Sequence, residues 1–495
     1  MSQIISWLTA AGVANNPVFD LLGWLDIVVN VIIVLVMALY VPRKRTPAAT
    51  RTWLLLIFFQ PIIGLILYVA IGRIYVSKRR LALQTRAAKI IAELRQRFRT
   101  NVIHVRPELS PEVAHVARIA EELGDFSVIG GNSIELLGDY DASVQRLARD
   151  IDSAEHSVNL LYYIFADDET GRVVAEALTR AAQRGVICRV LMDGLGSRAG
   201  LTTLAPRLRA AGVEVYEALK PGGFFWRGIA RFDLRNHRKI AVIDQRVGYI
   251  GSQNLIDKNF KRGITYEELV ARITGPVIMQ LQAVFFADRF LESEQAPSPD
   301  QEPWLFEFPA ATGATAAQTL PSGPGYLHGT TGRLLVGLLY AARRRVVLTT
   351  PYFVPDEAVL QALLTTVRRG VEVHLIVSRA ADQLLVSLAQ KSYYADLLEA
   401  GVRIHLYHPH FLHAKHMTFD DDAAIIGSSN IDVRSLELNA ECSVLVYDRA
   451  VVESLRATQE RYFAASEELT VASWAQRPLG AKLAQNIARL FDSFL

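Results

Sequence analysis

The sequence predicts an α/β protein with two duplicated lobes that face each other, each a mixed sheet flanked by helices, preceded by an N-terminal transmembrane helical hairpin. Three observations lead there. A block reading His237-x-Lys239, Asp244 and Gly251-Ser252-x-Asn254 returns as His413-x-Lys415, Asp420 and Gly427-Ser428-x-Asn430, every member displaced by 176 residues (413 − 237 = 430 − 254 = 176). Two apolar runs, residues 21–41 and 53–71, lie in tandem near the N-terminus. From residue 112 onward, short β-type runs alternate with helical segments, the pattern of an α/β body.

Taken in order, residues 1–72 read as the hairpin. Only Asp26 and Asn30 interrupt the first apolar run, and Gln60 and Pro61 are the polar and helix-breaking positions of the second. Each run matches the roughly 20 residues an α-helix needs to cross ~30 Å of hydrocarbon. Asp26 and Asn30, four apart, share a helical face turned to the partner helix or to the interface. The first twenty residues carry no Lys or Arg and Asp20 abuts the apolar run, which argues against a secretory signal. Arg43, Lys44, Arg45 and Arg51 precede the second run, and Arg73, Lys78, Arg79 and Arg80 follow it. This near-balance gives orientation only a slight lean, toward a cytoplasmic body.

Residues 73–110 form a basic connector with Leu81, Ala88, Ile91 and Leu94 at roughly helical spacing, suited either to an anionic bilayer surface or to a solvated helix. The first lobe spans 111–291: residues 158–164 read as a buried strand, 171–184 as a helix and 186–192 as the next strand. Residues 292–325 have linker composition, with Ala-Pro-Ser-Pro-Asp and Pro-Ser-Gly-Pro-Gly. The second lobe, 326–495, repeats the first: 346–353 corresponds to 158–165, Arg369-Gly370-Val371 to Arg184-Gly185-Val186, and Ala400-Gly401-Val402 to Ala211-Gly212-Val213. It closes on an amphipathic helix around 479–495 that docks on the body or on the membrane.

Composition sets limits. A chain of 495 residues accommodates two or more domains with full cores; hydrophobic residues make up 51%, and the mean hydropathy of +0.20 is high for a purely soluble protein. Net charge of +3 is too mild to argue for nucleic acid. Cys188 and Cys442 sit alone in apolar strand-like runs, as buried thiols do.

The repeated block is a set of phosphate-handling groups. His237 and Lys239, two apart in a strand-like stretch, share a face, as do His413 and Lys415. Asp244 and Asp420 belong to the same motif set, but their odd spacing points them the other way, so they read as turn-forming and structural. Gly-Ser-x-Asn supplies a tight backbone turn, with Ser252, Asn254, Ser428 and Asn430 as neutral donors beside the cationic groups. Neither lobe carries enough alone. Face to face, two imidazoles and two ammonium groups suit phosphodiester chemistry by covalent catalysis: one neutral His attacks phosphorus and the other protonates the leaving alkoxide. Lys, Ser and Asn stabilise the charge that develops on oxygen. A second alcohol then resolves the phosphohistidine.

These paired motifs resemble the phospholipase D superfamily. Together with the apolar runs and the flanks Pro61-Ile62-Ile63-Gly64, Asn236-His237-Arg238-Lys239, Phe411-Leu412-His413-Ala414-Lys415 and Asn439-Ala440-Glu441, they resemble bacterial cardiolipin synthases over nearly the whole chain. The resemblance implies phospholipase D-like lobes and an acidic residue after each motif that orients a histidine. Glu441 fits that place, and Glu268 of Tyr266-Glu267-Glu268 is selected by the apolar strand after it. It further implies that His237 attacks, that His413 is acid and base, and that two phosphatidylglycerol molecules give cardiolipin and glycerol without cofactor or metal. Implied partners are phosphatidylglycerol, other glycerophospholipids and the bacterial inner membrane, crossed more than once; a homo-oligomer is compatible and nucleic acid is not among them.

Other readings stand beside this one. Four histidines between His408 and His416 invite a metal site, but carboxylate and cysteine partners at fitting spacing are missing and Lys415 would repel a cation. A membrane-bound phospholipase D would pass the same intermediate to water; a nuclease would not need the apolar runs. A catalytically silent membrane scaffold is opposed by intact His, Lys, Ser and Asn in both copies. The aromatic, basic stretch Gly222 to Arg227 with Arg231 either inserts among headgroups or packs between lobes.

Overall fold

The computed structural model describes residues 17–43, 47–72, 78–104, 107, 109, 111–220, 234–298, 300–323 and 330–492. It divides into two units, residues 1–75 with 231–233, and 76–230 with 234–495.

In the first unit, a 24-residue helix (Pro17–Tyr40) runs into a short 3-10 turn. The stretch Gly23–Arg43 is long and apolar enough to cross a membrane. Leu25, Ile32, Leu35 and Leu39 stand exposed along it. In water such exposure costs roughly 25 cal/mol per Å2 of apolar surface, so the helix suits hydrocarbon. The second apolar run departs from the expected single span. It forms one helix (Pro47–Phe59) and a second (Pro61–Leu67) that passes into a π turn (Tyr68–Gly72). Pro61 has no N–H for the helical ladder, and the chain bends at Gln60 (φ −140°, ψ 75°). The two pieces close on each other: a Cβ at Gly64 would lie 2.7 Å from the Cα of Ile57. One helix of spanning length is therefore found among the described residues, and the expected two-span hairpin, with its multi-pass topology, is not retained.

The second unit holds both lobes. The first contributes β1 (Ile129–Leu137), β2 (Ser157–Tyr162), β3 (Ile187–Asp193), β4 (Glu214–Ala218), β5 (Lys239–Ile243), β6 (Val247–Gly251), β7 (Tyr266–Glu267) and β8 (Val270–Thr274). The second contributes β9 (Thr315–Ser322), β10 (Arg345–Thr349), β11 (Phe353–Val354), β12 (Glu372–Ser378), β13 (Arg403–Tyr407), β14 (Phe411–Leu412), β15 (His416–Phe419), β16 (Ala423–Gly427), β17 (Ile431–Asp432), β18 (Glu441–Tyr447) and β19 (Ser466–Leu469). Hydrogen bonding orders the first lobe β4-β3-β2-β5-β6-β8-β1 and the second β13-β12-β10-β15-β16-β18-β9, the same succession, with β19 added at the edge. The lobes join where β1 pairs antiparallel with β9. Even register repeats: Val158 faces Ile243 across β2 and β5, and Val346 faces Phe419 across β10 and β15.

Several boundaries differ from the composition-based ones. Residues 315–322, placed in the linker by their composition, form β9, a fully buried strand against β18. The helix Pro111–Gly124, assigned to the first lobe, buries Val116, Ala120 and Leu123 in the core of the second. In the connector, the helix Lys78–His104 turns Leu83 and Ala87 onto Phe290, while Leu81 is exposed. Its Arg80 pairs with Glu292 at 2.8 Å. A further core draws Ile240, Val242 and Ala271 from one lobe and Ala424, Ile426 and Val444 from the other, so the two sheets share an interior.

Asp244 and Asp420 hold this frame. Both adopt positive φ (50° and 48°) at the turn after β5 and β15. The Asp244 carboxylate accepts the backbone N–H groups of Glu155, His156 and Ser157, each at 2.8 Å. Asp420 accepts those of Arg343, Arg344 and Arg345 at 2.7–2.9 Å. Each aspartate thus pins the chain entering the neighbouring strand, β2 or β10. Hydrogen bonds to a charged acceptor contribute ~1.5–3 kcal/mol each, so Asp420→Ala is expected to destabilise the protein by at least about 3 kcal/mol. Asn, which keeps one acceptor and tolerates positive φ, is expected to cost less. Thermal unfolding of the detergent-solubilised variants followed by circular dichroism checks both.

Candidate active site

Backbone pairing across the lobes delivers the repeated residues to one place. The strand β7, leading into Glu268, pairs in parallel with β14, leading into His413, and the His413 N–H donates to the Glu267 carbonyl at 2.8 Å. On the other side Asn236 and Ala440 form a parallel bridge, and the His237 N–H donates to the Ala440 carbonyl at 2.8 Å. Each histidine is therefore laid beside the acidic residue of the opposite lobe. His237 Nδ1 lies 3.0 Å from Glu441 Oε1, and His413 Nδ1 lies 2.6 Å from Glu268 Oε1. A carboxylate only accepts, so each imidazole carries its proton on Nδ1 and keeps the Nε2 lone pair free. Both rings border one cavity of about 440 Å3 between the lobes, whose walls also include Asn254, Asn430, Arg235 and Arg434.

The lysines stand just behind. Lys239 Nζ donates to the His237 carbonyl and Lys415 Nζ to the His413 carbonyl, both at 2.6 Å. Both are buried. Burial lowers Lys239 to about 7, with Lys415 adding repulsion, and lowers Lys415 to about 8, against the partial support of Glu441 and Glu268. Burial also lowers His237 to about 4 and lowers His413, each partly offset by its carboxylate. Glu268 and Glu441 are held below the usual range: burial pushes them up, but the facing histidine and lysine charges pull them further down. The resting site thus combines neutral imidazoles with ionised carboxylates.

The serines and glycines act differently from their expected roles. Ser428 Oγ donates to Glu441, which also receives Ser435 Oγ at 3.0 Å. Ser252 is a neighbour of Glu268, but its Oγ donates to the Leu269 carbonyl at 3.2 Å and accepts the Leu269 N–H at 3.0 Å. Both serines are wholly buried and neither lines the cavity: Ser428 steadies its carboxylate, and Ser252 ties down the Leu269 backbone next to Glu268. Neither Gly251 nor Gly427 has positive φ. They permit close approach instead, since a Cβ would lie 2.4 Å from the Leu269 carbonyl oxygen or 2.5 Å from that of Cys442. The asparagines do line the cavity, and Asn254 Oδ1 accepts the Ile164 N–H at 3.1 Å. His416 is buried near Gln459, and His408 is near Glu467 on the surface. The aromatic stretch Gly222 to Arg227 with Arg231 lies outside the described residues.

A family model described as cardiolipin synthase, phospholipase D-like domain, matches residues 147–289 and 335–463, and a phospholipase D-nuclease N-terminal model matches 26–73. Cardiolipin synthase A of Salmonella arizonae is 32% identical, with 99% of each chain covered. That of Yersinia pseudotuberculosis is 33% identical at the same coverage, and that of Proteus mirabilis 34% over 92% of this chain and 94% of its own. This chain belongs to the phospholipase D-like cardiolipin synthase family. A phosphatidylserine synthase structure from Haemophilus influenzae shares the fold, with a TM-score of 0.59 at 14% identity, covering 78% of this chain and all of its own. Membership in this family and the apolar N-terminal helix make the protein membrane-associated.

Around this family site stand residues the repeat did not reveal. Asp193 accepts from Arg235 at 3.2 Å and from the Asn236 N–H at 2.9 Å, fixing the approach to His237. Arg238 runs back to Asp288 and to the carbonyls of Ser322 and Glu441. Tyr163 packs on His237 at 4.8 Å between ring centres, Tyr266 on His413 at 5.6 Å. Their signal is faint, because Tyr163 sits just past β2 and Asp193 at the last position of β3; Arg238 and Tyr266, inside the flanks that carry the resemblance, were the available cues.

As pH rises through about 7 to 8, Lys239 and Lys415 lose their protons, and the positive charge just behind the cavity wall is lost. Accordingly kcat/KM is expected to fall across that interval, with the His237 loss confined to near pH 4. A pH–rate profile on solubilised substrate checks this; a level profile to about pH 10, the ordinary lysine range, contradicts it.

Proposed function

We propose that the protein is a cardiolipin synthase that moves a phosphatidyl group from one phosphatidylglycerol to another through a phosphohistidine. The observation that carries this reading is the pair of crossed imidazole–carboxylate contacts, His237–Glu441 and His413–Glu268, around one cavity. His237 Nε2 attacks phosphorus, and the bond from phosphorus to the headgroup glycerol oxygen breaks. His413, as imidazolium, gives that oxygen its proton, and glycerol departs. The anionic phosphodiester itself favours this protonation, since a negative charge beside a neutral imidazole raises its pKa. The headgroup hydroxyl of a second phosphatidylglycerol then gives its proton to His413 and attacks phosphorus, freeing His237 and forming cardiolipin. Lys239, Lys415, Asn254 and Asn430 steady the charge on the non-bridging oxygens.

No metal or cofactor enters these steps. The apolar N-terminal helix anchors the chain, and the two lobes, one built on β1 to β8 and the other on β9 to β19, share the chemistry. The setting is the bacterial inner membrane with the lobes on the cytoplasmic side, in keeping with the bacterial relatives.

Purified enzyme given labelled phosphatidylglycerol in detergent with excess chelator is expected to yield cardiolipin and free glycerol. Phosphatidic acid as the sole lipid product would overturn the transferase reading in favour of hydrolysis.

A further inference from the structure

The C-terminal helix Leu479–Arg489 is amphipathic in the wrong sense for a water-facing surface. The side chains it buries are Gln485 and Ala488. The stripe it leaves outside is Leu479, Leu483 and Ile487, four residues apart, exposed by 81%, 62% and 48%, and continued by Leu490 and Phe491. Burial of a glutamine in preference to four large aliphatic side chains is disfavoured in water by roughly 1.5–3 kcal/mol for each aliphatic left out. The helix is nonetheless fixed. Arg477 Nε donates to Gln485 at 3.0 Å, Arg489 stacks over Tyr393 at 4.5 Å, and the Tyr393 hydroxyl donates to Asp492 at 2.7 Å.

The element it packs on is the helix Leu384–Ser392. That helix reaches the active-site cavity, where Val386 and the preceding Gln383 form part of the wall. Its own Leu384 is 74% exposed and Leu385 46%. One rigid pair of helices therefore carries both part of the cavity wall and a stripe of uncovered aliphatic side chains. Between residues 471 and 491 the chain has Arg477, Lys482 and Arg489 and no acidic residue.

We propose that this two-helix face docks on the surface of an anionic bilayer, with the aliphatic stripe at the acyl boundary, and so brings the cavity mouth to its lipid substrate. An apolar stripe with basic flanks is the composition of a helix lying in the interface plane, where buried apolar area and attraction to anionic headgroups add. Continuity with the cavity selects lipid over another occupant: the phosphodiester must reach His237 and His413 while its acyl chains stay in hydrocarbon. The inference rests on the lipid reading of the site and extends it to a second membrane contact, distinct from the N-terminal helix.

Cys188 and Cys442 are free and buried, so Leu483→Cys presents the one accessible thiol among the described residues. The full-length variant, spin-labelled there and reconstituted in vesicles of equal parts phosphatidylcholine and phosphatidylglycerol, is expected to be relaxed by dissolved oxygen and shielded from a water-soluble nickel chelate. Free access of the chelate would overturn docking. Shielding from both reagents would overturn it too, since the stripe would then be covered by protein, a second copy or another part of this chain. In parallel, the Leu479→Ser, Leu483→Ser, Ile487→Ser variant is expected to lose about tenfold or more in turnover of vesicle phosphatidylglycerol and to keep its rate on short-chain monomeric phosphatidylglycerol. Equal loss on both substrates would contradict a role in membrane engagement. The spin-label result needs no turnover, so failure to make cardiolipin would strike the catalytic reading and leave the docking result standing separately.

Discussion

The structure depends on one constraint: each site imidazole is held by a carboxylate from the other lobe. Glu268 and Glu441 are nearly or fully buried, a position an ionised carboxylate tolerates only when it is paired and hydrogen-bonded. Their partners arrive across the lobe boundary, so the lobes must dock in one register before either charge is satisfied. The two parallel bridges at β7–β14 and Asn236–Ala440 set that register, and the shared core between the sheets maintains it. A lobe by itself would leave a buried carboxylate without its imidazole.

The same arrangement sets the protonation of the site. Two lysines, two carboxylates and two histidines are buried close together, and burial drives the cations toward their neutral forms. The resting cavity therefore holds a ready nucleophile and awaits charge. In the proposed cycle the phosphodiester supplies it: its arrival favours the ammonium and imidazolium forms that the reaction uses. A lipid substrate would thus switch on the acid that expels its own headgroup, and the membrane anchor keeps that substrate at hand.

Much of this was legible in the chain. The constant offset of 176 residues corresponds to a duplicated strand order and a duplicated register, and strand parity separated Asp244 and Asp420, which pin turns, from the histidines that border the cavity. What stayed hidden was decided by contacts between distant segments. Period-two alternation says which face a residue takes, but not that Glu441 would cross to His237 or that Ser428 would stand behind Glu441. Composition marked 315–322 as linker through its Pro and small residues, yet full burial between β1 and β18 makes it a central strand. Apolar content marked 53–71 as one span, and Pro61 bent it.

The most direct test of the crossed arrangement is trapping of labelled phosphoenzyme in four variants, formed from phosphatidyl-p-nitrophenol, whose leaving group needs no proton from His413, and quenched in alkaline detergent because phosphohistidine is acid-labile. If His237 attacks and each histidine works through the opposite lobe's carboxylate, His413→Ala and Glu268→Gln accumulate phosphohistidine, while His237→Ala and Glu441→Gln do not. Accumulation that pairs each glutamate with the histidine of its own lobe, Glu268→Gln behaving as His237→Ala and Glu441→Gln as His413→Ala, would contradict it.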